Sequence, residues 1–180
     1  MKADSAMSDD VTQAELETLA AALGETLLAR GERVATAESC TGGWLAQCLT
    51  AIAGSSAWFE RGFVTYSNAA KEASLGVDAD TLAAFGAVSE ETAAAMAEGT
   101  LAHADATFSV GITGIAGPGG ATPGKPVGTV CFGFGQAGNP AITRRLVFPG
   151  DRRAVRAGAV AFALRGLLGL ARGSGVPTES

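Results

Sequence analysis

An α/β fold, built as a single-domain α/β/α sandwich with a mixed sheet, is the architecture expected of this chain. Three observations lead there. Stretches with the three-to-four spacing of amphipathic helices alternate with short apolar runs of strand length. Two of the later runs, Val127 to Phe134 and Ala141 to Phe148, are joined through Gln136-Ala137-Gly138-Asn139-Pro140. That connection is short enough for an antiparallel hairpin, so the sheet is not purely parallel. Finally, 180 residues are enough for one domain that buries its own core without disulfide staples.

Leu16, Leu19, Ala20, Leu23 and Leu27 mark a first helix, which Gly31 ends. Val34-Ala35-Thr36-Ala37 then reads as a buried strand over 33–38, and Trp44, Leu45, Cys48, Leu49 and Ile52 place a helix at about 42–53. Gly54-Ser55-Ser56 turns into a segment whose latter half, up to Tyr66, is strand-like. Residues 68–75 and 78–85 read as short helices stopped by Gly76 and Gly86. Ser89-x-x-Thr92, with Glu90 and Glu91 suiting the dipole, opens a longer helix toward Asp105. A strand over 106–113 runs into the glycine-rich loop Gly114-Ile115-Ala116-Gly117-Pro118-Gly119-Gly120.

The last helix, about 151–170, carries Val155, Val160, Phe162, Leu164, Leu167, Leu168 and Leu170 around most of its circumference. One core face cannot cover such a ring, so a homo-oligomer formed through this helix is expected. Residues 1–11 are expected to fray, 12–171 to form the domain and 172–180 to be a flexible tail. No internal repeat is found.

Composition removes several function classes. A formal net charge of −5 lacks the excess of clustered Lys and Arg that phosphate-backbone binding needs, so nucleic acid is not an expected partner. Cys40, Cys48 and Cys131 are odd in number and have no Cys-x-x-Cys spacing, which argues against a zinc site or a disulfide framework and for the reducing cytoplasm. The polar, acidic start is not a secretory signal, and no run approaching membrane-spanning length is read.

The chemistry-bearing stretch is Ala37-Glu38-Ser39-Cys40-Thr41-Gly42-Gly43, where an apolar strand gives way to a hydroxyl-rich turn and then a helix. Ser39 sits where unpaired helix amides can hold an anion, although Ser39 and Thr41 also suit simple helix capping. A serine nucleophile needs a base. The one histidine, His103, lies near a helix end, where bonding terminal carbonyls is its ordinary duty. Lysine is the remaining base type, and beside Lys2 only Lys71 and Lys125 exist. Lys71 closes the polar cluster Tyr66-Ser67-Asn68-Ala69-Ala70-Lys71, where a solvated helix charge is the plain alternative. The loop 113–120 has the composition of an anion cradle but matches neither a Walker nor a dinucleotide-binding pattern. Asp151 suits a helix cap, while Arg152 and Arg153 oppose the dipole in the first turn. Arg152 and Arg156 share a face, which fits a ligand phosphate or carboxylates of another subunit.

Five words occur in order: Ala-Glu-Ser-Cys-Thr-Gly-Gly at 37–43, Gly-Ser-Ser-Ala-Trp-Phe-Glu-Arg-Gly-Phe-Val-Thr-Tyr-Ser-Asn at 54–68, Gly-Ala-Val-Ser-Glu at 86–90, Thr-Gly-Ile-Ala-Gly-Pro at 113–118 and Lys-Pro-Val-Gly-Thr-Val at 125–130. Together they resemble the nicotinamide-nucleotide amidohydrolase family, also known as the C-terminal domain of the competence/damage-inducible protein, over roughly residues 12–170. The resemblance implies hydrolysis of the carboxamide of nicotinamide mononucleotide to nicotinate mononucleotide and ammonia, a salvage step, without metal or cofactor. It implies Ser39 as nucleophile, Lys71 as base and Tyr66 as a neighbouring active-site residue, with Thr41, Asn68, Thr113 and Gly114 in matching motifs. Longer relatives carry an added N-terminal domain for which the first ten residues leave no room, which implies the stand-alone form. Gly124 stands where relatives often have a polar residue, in a loop of varying length.

On this reading the backbone N–H groups of Cys40 to Gly43 stabilise the oxyanion, so Gly42 and Gly43 join the substrate-binding set, and Arg152 and Arg156 hold the phosphate. A nucleotide-sensing or partner-binding module with little catalysis is the rival from another class, and an amidase for a related pyridine nucleotide amide the rival within enzymes.

Overall fold

The computed structural model describes residues 11–179. Most of the segment expected to fray, 1–10, lies outside them, while Val11 packs against the core. The elements follow in order: α1 (Gln13–Arg30), β1 (Val34–Glu38), α2 (Trp44–Thr50), β2 (Phe59–Val64), α3 (Asn68–Leu75), α4 (Ala79–Phe85), α5 (Glu90–Ala102), β3 (Phe108–Gly114), β4 (Thr129–Gln136), β5 (Ile142–Val147) and α6 (Arg152–Arg172). Several caps are those the sequence marks, although Ser39 and Thr41 do not cap α2, whose N-cap is Gly43. Gly31 takes the left-handed conformation at φ 64° after α1, Ser89 accepts from the Thr92 N–H ahead of α5, and Asp151 accepts from Ala154 ahead of α6. The helix expected over 42–53 is shorter because Gly42 and Gly43 both have positive φ (60° and 97°), a turn conformation that only glycine adopts cheaply.

The sheet runs β2-β1-β3-β4-β5. β1 pairs parallel with β2 and β3, and the β4–β5 hairpin adds two antiparallel strands, so the sheet is mixed as expected. The layers follow from packing. α6, α1 and α2 cover one face, and α5, with α3 and α4 outside it, covers the other. α5 lies unusually close to β3 and β4, because a Cβ at Gly111 or Gly133 would stand 2.5 or 2.2 Å from the Ala93 carbonyl oxygen. The opposite layer is aromatic. The Phe132 and Phe162 rings lie 4.8 Å apart, centroid to centroid, flanked by Phe134 and Phe148.

α6 corrects one expectation. By length and composition it would pass for a membrane-crossing segment, contrary to the reading that no run comes near that length. Much of its apolar circumference is covered from within the chain: Val155, Val160, Phe162, Leu164 and Leu167 are buried between the sheet and α1, while Leu168 and Leu170 are partly buried. The stretch after Gly173, expected as a flexible tail, is held by Arg144, whose guanidinium donates to the carbonyls of Val176 and Pro177.

The three parallel strands end on the same edge. From β1 the chain leaves through α2 to β2 on one side, while β3 pairs on the other, so the C-terminal end of β1 lies where the connections diverge. In open α/β sheets that crevice is where ligands bind.

Candidate active site

Each parallel strand delivers something to the crevice. β1 ends in Glu38 and hands over to Ser39, whose N–H donates to the Ile112 carbonyl on β3. β2 ends before Thr65, whose N–H donates to the Glu38 carbonyl. β3 ends in Thr113 and Gly114. A cavity of about 230 Å³ opens there, lined by Ser39, Tyr66, Asn68, Lys71, Thr113, Gly114 and Arg152 among others.

Lys71 comes from the first turns of α3, which Ser67 caps by accepting from the Ala70 N–H. The side chain folds inward. Its Nζ lies 3.0 Å from Ser39 Oγ and donates to the Thr65 carbonyl at 2.9 Å, and only 1% of the residue is exposed. Lys71 is thus no solvated helix charge. Burial lowers its pKa from the ordinary 10.5, since removing a charge from water disfavours the charged form, with a small opposing pull from the Cys40 thiol. Among the described residues no carboxylate is bonded to it.

Cys40 also lines the cavity, yet desolvation pushes its thiol up to about 12, which keeps it protonated at neutral pH. Lys125, the other lysine considered, is elsewhere: it donates to the Phe85 carbonyl and ties the 115–128 loop to the end of α4. His103 bonds the Gly99 carbonyl through Nδ1, as a helix-end histidine does.

Four expected residues stand apart from this cavity. Thr41 is fully buried with an unpartnered hydroxyl, and Gly42 and Gly43 shape the turn behind Ser39 rather than facing the ligand space. The Gly42 N–H donates to the Ser39 carbonyl and the Gly43 N–H to the Glu38 carboxylate, so neither is free for an oxyanion. Within the turn, the N–H groups of Cys40 and Thr41 have no acceptor among the described residues, and of the two residues Cys40 lines the cavity. Arg156 also acts on the turn. Its Nε and Nη2 donate to the carbonyls of Cys40 and Thr41, both at 3.0 Å, and its guanidinium lies 5.4 Å from the centre of the Trp44 ring.

Tyr66 is 62% exposed and bonds neither Lys71 nor Ser39. Its hydroxyl meets Arg152 Nη2 at 3.0 Å, while Arg152 Nη1 donates to the Gly117 carbonyl, so this pair bridges the cavity mouth. Beyond the bridge a larger cavity of about 540 Å³ shares Ala116 and Arg152 with the first and adds Arg153 and Arg156. Arg153, which the sequence places with Arg152 in the first turn against the dipole but leaves out of the phosphate pair, has no hydrogen-bond acceptor among the described residues. The sequence reading gave Glu38 no role of its own; its place in the turn has no local signature. Among the described residues no cluster of His, Cys, Asp and Glu is arranged to hold a metal.

The arrangement is that of a serine hydroxyl beside a buried amine, with the Cys40 amide unbonded and an arginine-lined extension. The sequence profile of the family described as CinA C-terminal domain matches residues 16–171. The chain belongs to that family. It is 57% identical over 157 residues to a nicotinamide-nucleotide amidohydrolase PncC of Escherichia coli strain K12, covering 87% of this chain and 95% of that protein. A PncC of Pseudomonas putida is 50% identical over 155 residues, covering 86% and 96%. The solved competence/damage inducible protein CihA from Agrobacterium tumefaciens superposes with a TM-score of 0.85 at 44% identity, over 91% of this chain and 99% of that one. For the CinA C-terminal domain fold, then, the α/β/α sandwich with its mixed sheet is shared with a solved relative.

Proposed function

We propose that this CinA C-terminal domain hydrolyses the carboxamide of nicotinamide mononucleotide to nicotinate mononucleotide and ammonia, as an amidohydrolase of pyridine nucleotide salvage. The observation that carries the reading is the 3.0 Å approach of Lys71 Nζ to Ser39 Oγ inside a closed corner of the cavity. A pocket that only senses a nucleotide gains nothing from burying an amine against a hydroxyl, because a buried charge costs stability unless it is put to use.

In the first step the neutral amine of Lys71 takes the Ser39 proton while Oγ bonds to the carboxamide carbon and the C=O π pair moves onto oxygen. The oxyanion is received by the N–H group of Cys40, a donor of this kind typically contributing about 3–4 kcal/mol. Collapse re-forms C=O and breaks the C–N bond, and the proton on Lys71 passes to the departing nitrogen, which leaves as ammonia. Water then adds to the ester carbon, giving a proton to Lys71, and Ser39 departs with that proton restored. No redox step and no external acid is needed.

The pyridine carboxamide occupies the smaller cavity and the phosphate the larger. Of the three arginines there, Arg156 is committed to the turn, so Arg152 and Arg153 are the phosphate ligands, Arg152 exchanging its Tyr66 contact for the anion. The three cysteines are buried and free, which fits a cytoplasmic site of action. The test is ammonia release from nicotinamide mononucleotide by the purified chain, beside a panel of nicotinamide, its riboside and the dinucleotide. Binding without ammonia would overturn the amidohydrolase reading, and faster turnover of another member of the panel would reassign the substrate.

A further inference from the structure

Glu38 is fully buried, has no cationic partner among the described residues and precedes the nucleophile directly. Its carboxylate reaches past the turn to the start of α2, where Oε2 accepts from the Gly43 and Leu45 N–H groups at 3.1 Å and Oε1 from Ala46 at 2.9 Å. α2 has no other cap. Its N-cap residue is Gly43, which lacks a side chain, so Glu38 does the capping from the preceding strand.

Two consequences follow for the chemistry. The turn 39–43 is closed at both ends by one residue, since the Glu38 backbone is fixed in β1 between β2 and β3 while its side chain grips α2. The Glu38 carbonyl also accepts from Thr65, whose own carbonyl receives Lys71 Nζ, so the nucleophile and its base are registered through the same residue. Second, the amides that usually make a helix start attractive to an anion are already satisfied. The unbonded donor of the turn that lines the cavity is the N–H group of Cys40, next to Ser39 in the chain. Turned instead toward Lys71, the Glu38 carboxylate would favour the protonated amine, which cannot accept a proton.

The geometry points to Glu38 as a positioning residue of the reaction, whose buried carboxylate clamps the nucleophile turn and confines oxyanion binding to the Cys40 amide. This rests on the Ser39–Lys71 reading above and deepens it. A Glu38→Gln variant keeps the side-chain length but turns an NH2 toward amide donors, so one of its two ends loses its bonds.

The experiment counts active sites with a serine-directed fluorophosphonate and then measures turnover per labelled site. Failure of the unaltered protein to label at Ser39 would sink the Ser39–Lys71 reading itself. With labelling intact, Glu38→Gln is expected to lower kcat per site at least tenfold, with KM within threefold and the position of the pH–rate limb unmoved. A kcat per site within threefold of the parent would overturn the proposal. If the variant does not fold, the unaltered chain answers the same question: on adding a boronic acid analogue of the carboxamide, the Cys40 amide resonance shifts and those of Gly43, Leu45 and Ala46 hold. Comparable shifts in the second group would overturn it too.

Discussion

Lys71 Nζ stands 3.0 Å from Ser39 Oγ, and the two side chains come from elements 32 residues apart that meet only because β1 and β2 pair in parallel and end together. Removing either partner leaves the cavity and its arginines in place. Ser39→Ala is expected to cut ammonia release at least about 10³-fold while nucleotide binding persists, and Lys71→Met to do the same. Loss from both together no greater than from either alone, in turnover assays with calorimetric binding alongside, marks them as one unit. Full turnover in Ser39→Ala would end the nucleophile assignment.

Because burial lowers the pKa of Lys71, the unfolded chain binds its proton more tightly than the native one between the two pKa values. Native stability therefore rises with pH through that window and levels off near the unfolded value of 10.5. Activity rises in the same direction, since only the neutral amine accepts the serine proton. The expected pair of results is an ascending kcat/KM limb below 10.5, and a melting temperature of Lys71→Met that gains on the parent as pH falls. A limb that descends with rising pH in this range would contradict the base role.

Much of this site is legible in the sequence, and the part that is not has a common cause. Ser39 stands at a strand-to-helix junction and Lys71 follows a capped helix start, so local pattern finds both. That Lys71 points inward is decided by α3 lying on α5, which no spacing within 67–75 records. Arg156 reaches carbonyls about a hundred residues earlier in the chain, and its four-residue spacing from Arg152 points to a shared ligand instead. β1 is buried at every position, so the burial of Glu38 breaks no alternation that would draw notice. α6 shows the limit for the fold: apolar on all sides means buried on all sides, and whether the cover is α1 or a second copy lies outside the helix's own sequence.

The Tyr66 hydroxyl bonds Arg152 at an exposed mouth, away from the reacting atoms. Tyr66→Phe removes one solvent-accessible hydrogen bond, worth about 0.5–1.5 kcal/mol. KM is expected to rise up to about tenfold and kcat to stay within about threefold. Steady-state kinetics decide this, and a collapse of kcat with KM unchanged would instead make Tyr66 a proton carrier.

Gly133 faces α5 with no room for a methyl group, its added Cβ falling 2.2 Å from the Ala93 oxygen, which belongs to a helix backbone that cannot rotate aside. Gly133→Ala is expected to destabilise the fold by about 1–3 kcal/mol, an overpacking cost. At roughly 2–4 °C per kcal/mol for a chain of this size, thermal melts should show a clear drop. An unchanged melting temperature would mean that α5 can retreat from the sheet.

Arg153 and Arg156 both lie against Trp44, at 6.0 and 5.4 Å from its ring centre, yet they should fail in different ways. Arg153 is free to meet a phosphate, so Arg153→Ala is expected to weaken kcat/KM for nicotinamide mononucleotide about tenfold and to leave the riboside, which has no phosphate, unaffected. Arg156 holds two carbonyls of the nucleophile turn with a planar fork. Holding the carbonyls of Cys40 and Thr41 fixes the peptide planes of the turn that carries Ser39 and the Cys40 N–H. A lysine offers no fork, and Arg156→Lys should therefore lower kcat for mononucleotide and riboside alike by about tenfold, with KM little changed. If Arg156→Lys instead spares the riboside, the guanidinium serves the phosphate and the turn is held by Glu38 alone.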